Sequence, residues 1–186
     1  MKLFEGQFLN LYRQTYDTPY MNRNDNRITP NTFEGYSLQG TVGGKDGGTA
    51  LRYGVGYMTK IKERTSDMFV SMSRQAGAAV DRGVGVLGAL FSHGEASIGA
   101  IDYYSEDIIN IGYAEAKYVW SLPHDVGVLF AAQYTDERSV GGDLLQKTPL
   151  PNEHELARYA HVEQYGKPGH TIQDFRLIAN YDFSLF

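Results

Sequence analysis

Thr171-Ile172-Gln173-Asp174-Phe175-Arg176-Leu177-Ile178-Ala179-Asn180-Tyr181-Asp182-Phe183-Ser184-Leu185 alternates two kinds of side chain. Successive side chains of a strand point to opposite sides, so Phe175, Leu177, Ala179, Tyr181, Phe183 and Leu185 share one face. Asp174, Arg176, Ile178, Asn180 and Asp182 share the other. One face is apolar and the other wet. A surface strand of a soluble β protein reads the same way, but the length of this stretch and its aromatics near the end are what strands of outer-membrane barrels present.

Working outward, stretches of this kind recur along the chain, separated by turn signals, and predict an antiparallel meander of about nine strands. They are Lys2–Tyr12, Phe33–Val42, Ala50–Lys62, Gly83–His93, Ala96–Tyr104, Ile108–Ser121, Asp125–Asp136, Leu156–Tyr165 and Thr171–Leu185. Several connections carry tight-turn chemistry: Gly43-Gly44-Lys45-Asp46-Gly47-Gly48, His93-Gly94-Glu95, Ser121-Leu122-Pro123-His124 and Gly166-Lys167-Pro168-Gly169. Arg13 to Thr32, Thr65 to Arg82 and Ser139 to Glu155 are too long for hairpins, and long loops in compact β proteins carry function. Short turns on one rim and long loops on the other is the asymmetry of bacterial outer-membrane barrels. Within Thr65–Arg82, Asp67-Met68-Phe69-Val70-Ser71-Met72 is expected to make a short helical turn.

Composition agrees with that class. The chain has 186 residues, 42% apolar and 21% charged, with 21 Gly, 14 Tyr, 9 Phe and no Cys. This size suits one domain over residues 1–186, with no break in composition to divide it. No window approaches the ~18 apolar residues of a membrane-spanning helix, whereas barrel strands need only alternate. The start, Met1-Lys2-Leu3-Phe4-Glu5, lacks the features of a secretory signal, so an exported protein of this sequence is expected to have lost or processed its front. Zero cysteines removes disulfides and thiolate metal sites from consideration. Met1 to Arg64 holds nine Lys+Arg against six Asp+Glu, and the remainder eight against sixteen, with no nucleic-acid-binding run.

The faces of the better strands support a lipid-facing side. In Ala50–Lys62 the set Leu51, Tyr53, Val55, Tyr57 and Ile61 is expected to face lipid, with Arg52, Gly54, Gly56, Met58, Lys60 and Lys62 inward. In Ile108–Ser121, Ala114, Ala116, Tyr118 and Trp120 are expected outward and Glu115 and Lys117 inward, which puts the only Trp where an aromatic girdle belongs. Gly83–His93 is apolar on both faces, and Leu156–Tyr165 can be phased either way.

From Asp17-Thr18-Pro19-Tyr20 through Asn24-Asp25-Asn26-Arg27-Ile28-Thr29-Pro30-Asn31-Thr32-Phe33-Glu34-Gly35-Tyr36, the chain resembles the OprD-type specific porins. The likeness continues through Tyr53–Lys62, Arg64–Phe69, Gly85–Ala89 and Ala132–Asp136, and returns in Phe175–Phe183. The resemblance implies an all-β, antiparallel up-and-down transmembrane β-barrel in the outer membrane of a Gram-negative bacterium. It implies passive, selective uptake of small carboxylate-bearing solutes such as amino acids. The departure is length: barrels of ~18 strands, at ~9–11 residues each plus loops, need far more than 186 residues. About 8–10 strands are expected here, in a fragment or internally deleted relative with its junction near Gln146–Arg158.

Under that resemblance the chemistry is electrostatic selection by fixed cations, with release kept easy by weak binding. The loop Arg13–Thr32 carries Arg13, Arg23 and Arg27 beside Asp17 and Asp25, and as a candidate constriction loop it offers both signs of charge to a zwitterion. Arginine suits this because its planar fork meets a carboxylate bidentately. Arg52, Lys60 and Lys62 are expected to continue the track along the wall, because they share one face of a regular strand. The expected partners are small anionic or zwitterionic solutes and outer-membrane lipid, with further copies of the chain left open and no nucleic acid.

Enzyme readings find no support. His93, His124, His154, His161 and His170 lie in five separate turns or strands without metal-ligand spacing, and no Gly-x-Ser-x-Gly elbow is present. Gly83-Val84-Gly85-Val86-Leu87-Gly88 leads into a strand instead of a helix, so it is a poor dinucleotide fingerprint. Glu106/Asp107 and Asp136/Glu137 read as solvated strand ends. The expectation is no catalytic residue, no metal and no cofactor. The alternative is a β-barrel binding or structural module with a basic interior and no open pore.

Overall fold

The computed structural model describes residues 2–4, 6–23, 30–44, 48–122, 126–142, 144–145 and 171–183. Its strands are β1 (Lys2–Phe4), β2 (Gln7–Gln14), β3 (Thr32–Gly43), β4 (Thr49–Lys62), β5 (Val70–Ser71), β6 (Val84–His93), β7 (Ala96–Ser105), β8 (Ile109–Leu122), β9 (Val126–Ser139) and β10 (Thr171–Phe183). The one helix among these residues is the single turn α1 (Met72–Gln75), capped by the Ser71 hydroxyl, which accepts from the Arg74 N–H. No helix among the described residues is long and apolar enough to cross a membrane.

Every pairing is antiparallel, in the order β1-β2-β3-β4-β6-β7-β8-β9-β10, with the short β5 set against β4. The sheet is an up-and-down meander that remains open, with β1 and β10 at its two ends. β9 and β10 pair along their whole length, from Arg138 opposite Thr171 to Val126 opposite Phe183. The connections β1–β2, β3–β4, β6–β7 and β8–β9 are short and leave one end of the sheet. Those after β2, β4 and β9 are long and leave the other. Only the β7–β8 turn, residues 106–108, is short at the long-loop end.

Register divides the side chains into two faces, because residues opposite one another in a ladder point the same way. One row runs Leu9, Leu38, Val55, Leu87, and another Val42, Leu51, Phe91, Ile98. Tyr118 and Phe130 pair likewise between β8 and β9. Leu11, Leu87 and Ile98 on this face are 63%, 64% and 60% exposed, so the apolar face is an outer surface and no core. The opposite face carries the core: Met21, Phe33, Met58 and Tyr103 are buried together, with Val84, Val86, Ile101 and Ile111 packed against them. This explains why β6 is apolar on both sides. Its Val84 and Val86 meet the inner core while Leu87 and Phe91 lie on the outer face.

Three expectations are corrected. Lys2–Tyr12 is two strands, because Gly6 takes φ +76° and folds β1 back on β2, with Phe4 opposite Gln7. A left-handed φ of that kind comes cheaply only to glycine. The helical turn expected over 67–72 forms at Met72–Gln75 instead, where Ser71 can cap it. The alternation of β4 breaks at Thr59: Gly35 pairs with Met58 but Glu34 with Lys60, a β-bulge that leaves Thr59 unopposed. Gly35 is needed at this point, since a Cβ there would run into the Tyr57 carbonyl oxygen and lie 2.8 Å from the Met58 Cα. The strand expected at Leu156–Tyr165 and the junction expected near Gln146–Arg158 lie outside the described residues.

Candidate functional site

The described residues that follow β2, 15–23, fold back across the inner face of the sheet. Thr18-Pro19-Tyr20-Met21 makes a tight turn, in which the Thr18 N–H and hydroxyl donate to the Met21 carbonyl at 2.8 and 2.9 Å. Proline at the second position presets the φ that such a turn requires. An antiparallel bridge between Asp17 and Asn22 closes the base. The Arg23 guanidinium lies 2.6 Å from Asp17 Oδ2, and this bond holds the Asp17 carboxyl below its ordinary range.

Three apolar contacts hold the turn down. Met21 enters the core, the Tyr16 ring packs edge-on to Phe33 at 5.8 Å, and Tyr20 packs edge-on to Tyr103 at 5.7 Å. Burial pushes the Tyr16 hydroxyl pKa up. The Tyr20 hydroxyl reaches Thr135 on β9 and donates at 3.2 Å, so the turn crosses from β2 to the far side of the curved sheet.

Beneath it lies a cavity of about 640 Å³. Tyr16, Asp17 and Thr18 line it from the turn, and Gln39, Arg52 and Glu115 from the strands. Glu115 is held by three neighbours: the Tyr113 hydroxyl donates at 2.9 Å, the Gln133 amide at 2.7 Å, and Lys117 Nζ lies at 2.6 Å. Arg52 pairs in register with Thr41 and Leu90 on the same inner face. The cavity thus offers a guanidinium and a fixed carboxylate in one apolar-walled space.

The expected cations divide between the two faces. Arg52 faces the cavity and Arg23 is engaged by Asp17 at its edge. Lys60 and Lys62 do not share the face of Arg52, because the bulge at Thr59 reverses the alternation beyond it. Ile61, expected to face lipid, pairs with Phe33 and packs on the inner core. Lys60 instead pairs with Glu34, whose carboxylate lies 3.7 Å from it and 3.4 Å from Arg13. Arg13 and Lys62 both approach the Phe69 ring, at 4.7 and 5.9 Å, on the outer side of the sheet beyond Leu11 and Tyr36. Asp25 and Arg27 lie outside the described residues. Glu115, Lys117, Tyr113 and Gln133 are absent from the expected set. Inward phase marked Glu115 and Lys117, but the partnership across β8 and β9 depends on register, which no single strand reveals.

No family model matches the chain, and no curated protein does. Solved structures do. The chain resembles Pseudomonas aeruginosa OccK9 (OpdG) with a TM-score of 0.61 at 24% identity, over 73% of this chain and 34% of that one. It resembles the Pseudomonas aeruginosa outer-membrane protein OpdK with a TM-score of 0.62 at 20% identity, over 74% and 36%. For Acinetobacter baumannii OccAB1 the TM-score is 0.65 at 16% identity, over 95% and 40%. The matched part is thus little more than a third of the length of these structures. The chain carries the fold of the OprD/Occ outer-membrane porins, an antiparallel β-barrel sheet whose ten described strands leave the barrel open.

Proposed function

We propose that the chain forms the wall of an outer-membrane porin-type channel for passive uptake of small carboxylate-bearing solutes, amino acids among them. The observation that carries this reading is the cavity beneath the Thr18–Met21 turn, walled by the inner face of a two-faced sheet and fitted with both Arg52 and Glu115. Arg52 attracts a carboxylate and Glu115 a cationic group, so a zwitterion meets both of its charges there without any covalent step. A neighbour of the same fold, Pseudomonas aeruginosa OccK2 (OpdF), was solved in complex with glucuronate, a carboxylate-bearing sugar, at 18% identity and a TM-score of 0.61. That supports a carboxylate as the feature recognised. The loop from Arg13 to Thr32 acts as the constriction in this account.

A second reading rests on the buried cluster of Met21, Phe33, Met58 and Tyr103, which packs on the inner face at the long-loop end. In that reading the chain is a binding or structural barrel module with no open pore. Planar-bilayer recordings decide between the two. Discrete openings blocked by millimolar glucuronate, with block weakened in Arg52→Ala, are the expected result. Silence from a chain inserted with full β-sheet content would sink the channel reading and leave the module.

A further inference from the structure

The cations that the Thr59 bulge removes from the cavity are gathered elsewhere. Arg13, Lys60 and Lys62 stand on the outer side of the sheet at its long-loop end, Arg13 and Lys62 over the Phe69 ring and Lys60 opposite Glu34. Arg13 and Lys60 are about half exposed, with side-chain accessibilities of 54% and 51%. Among the described residues, Glu34 is the one carboxylate within ion-pair distance of Arg13 and Lys60, and it is shared between them. Asp81 also acts on Lys60 at longer range but is itself bound by Arg74, so three cations against one shared carboxylate and one already paired leave the group an excess of positive charge. The next row toward the middle of the sheet is Leu11, Tyr36 and Tyr57, with the two tyrosine rings 6.0 Å apart. The patch therefore begins where the exposed apolar face ends.

We propose that this patch is a docking site for a phosphorylated lipid headgroup of the outer leaflet. The inference rests on the membrane-spanning reading given above. A cation group bordering an apolar face, behind an aromatic row, lies at headgroup depth when that face is in lipid. Long loops mark the extracellular end of such barrels, which selects the outer leaflet. Arg13 presents a planar fork and Lys60 and Lys62 compact ammonium groups, a combination suited to a phosphomonoester carrying nearly two negative charges. The lipid's acyl chains lie along Tyr36 and Tyr57 while its phosphate meets the cations. Glu34 keeps Arg13 and Lys60 close together before a lipid arrives, which lowers the cost of ordering them.

The test uses the full chain in nanodiscs of phosphatidylcholine containing spin-labelled phosphatidic acid or spin-labelled phosphatidylcholine. The motionally restricted fraction of each label gives the preference of the protein surface for the phosphomonoester. The unmodified chain is expected to prefer phosphatidic acid, and Lys60→Gln and Lys62→Gln are each expected to lower that preference about fivefold. Arg138→Gln serves as a control, being an exposed strand cation already paired with Asp136. Equal loss in the control would show general surface charge and overturn the proposal. So would abolition of the preference by inorganic phosphate at equal concentration, which would make the patch a free-anion site. An inserted, folded chain with no preference overturns the lipid site alone. A chain that stays out of the nanodisc overturns the membrane reading with it.

Discussion

Met21→Ala tests whether burial holds the Thr18–Met21 turn in place. Met21 is 5% exposed and packs with Phe33, Met58 and Tyr103, while the rest of its turn is held chiefly by the ring contacts of Tyr16 and Tyr20. Truncating a buried methionine to alanine costs about 2–5 kcal/mol, which combines lost transfer energy with the space left behind. The loss falls on docking of the turn. The strands keep their ladders, so the docked-to-undocked ratio should drop by a factor of roughly 30 to 1,000, taking about 2–4 kcal/mol of that cost as local. The reporter is the Thr18 amide, which donates to the Met21 carbonyl at 2.8 Å and is released only when the turn opens. Hydrogen exchange at Thr18 should accelerate by that factor while amides in the middle of β4 and β8 keep their rates. Unchanged exchange at Thr18 would refute the idea that burial of Met21 closes the turn.

Two further outcomes follow from particular residues. Gly35→Ala sets a methyl against the Tyr57 carbonyl oxygen and the Met58 Cα, and should lower stability in urea by about 1–3 kcal/mol; an unchanged midpoint would mean that the bulge relaxes freely. Asp81 is bound by Arg74, with Nε–Oδ1 at 2.6 Å, and its pKa is lowered to about 2. A depressed folded pKa means that the pairing contributes fully above the ordinary aspartate value of ~3.9 and is lost as pH falls from there through about 2. The Asp81 carboxyl resonance should therefore titrate near pH 2, and a midpoint near 4 would contradict the pairing.

Much of the fold is legible in alternation alone. The stretch expected as Ala50–Lys62 is β4 at Thr49–Lys62, and the final stretch is β10, because a period of two survives wherever one face is held to a single environment. The candidate site was less legible, for three physical reasons. Thr59 carries no signal of a bulge, so counting by twos past it assigned Lys60, Ile61 and Lys62 to the wrong faces. The Arg13–Thr32 loop reads as a polar constriction by composition, yet what anchors its described part is Met21 and two tyrosine rings on a core built from distant strands. Finally, Glu115 gains its meaning from Gln133 across the ladder, a partnership set by register between β8 and β9.

The two-faced, membrane-spanning sheet is the claim on which the rest depends, and spin labels placed on both faces test it most directly. Labels at Val55, Leu87 and Ile98 belong to the exposed apolar face, and labels at Arg52, Ser97 and Gln133 to the opposite one. In lipid vesicles the first set should collide with dissolved oxygen and be shielded from a water-soluble nickel chelate, and the second set the reverse. Equal access of the chelate to both sets would contradict a sheet with one side in lipid and the other in water.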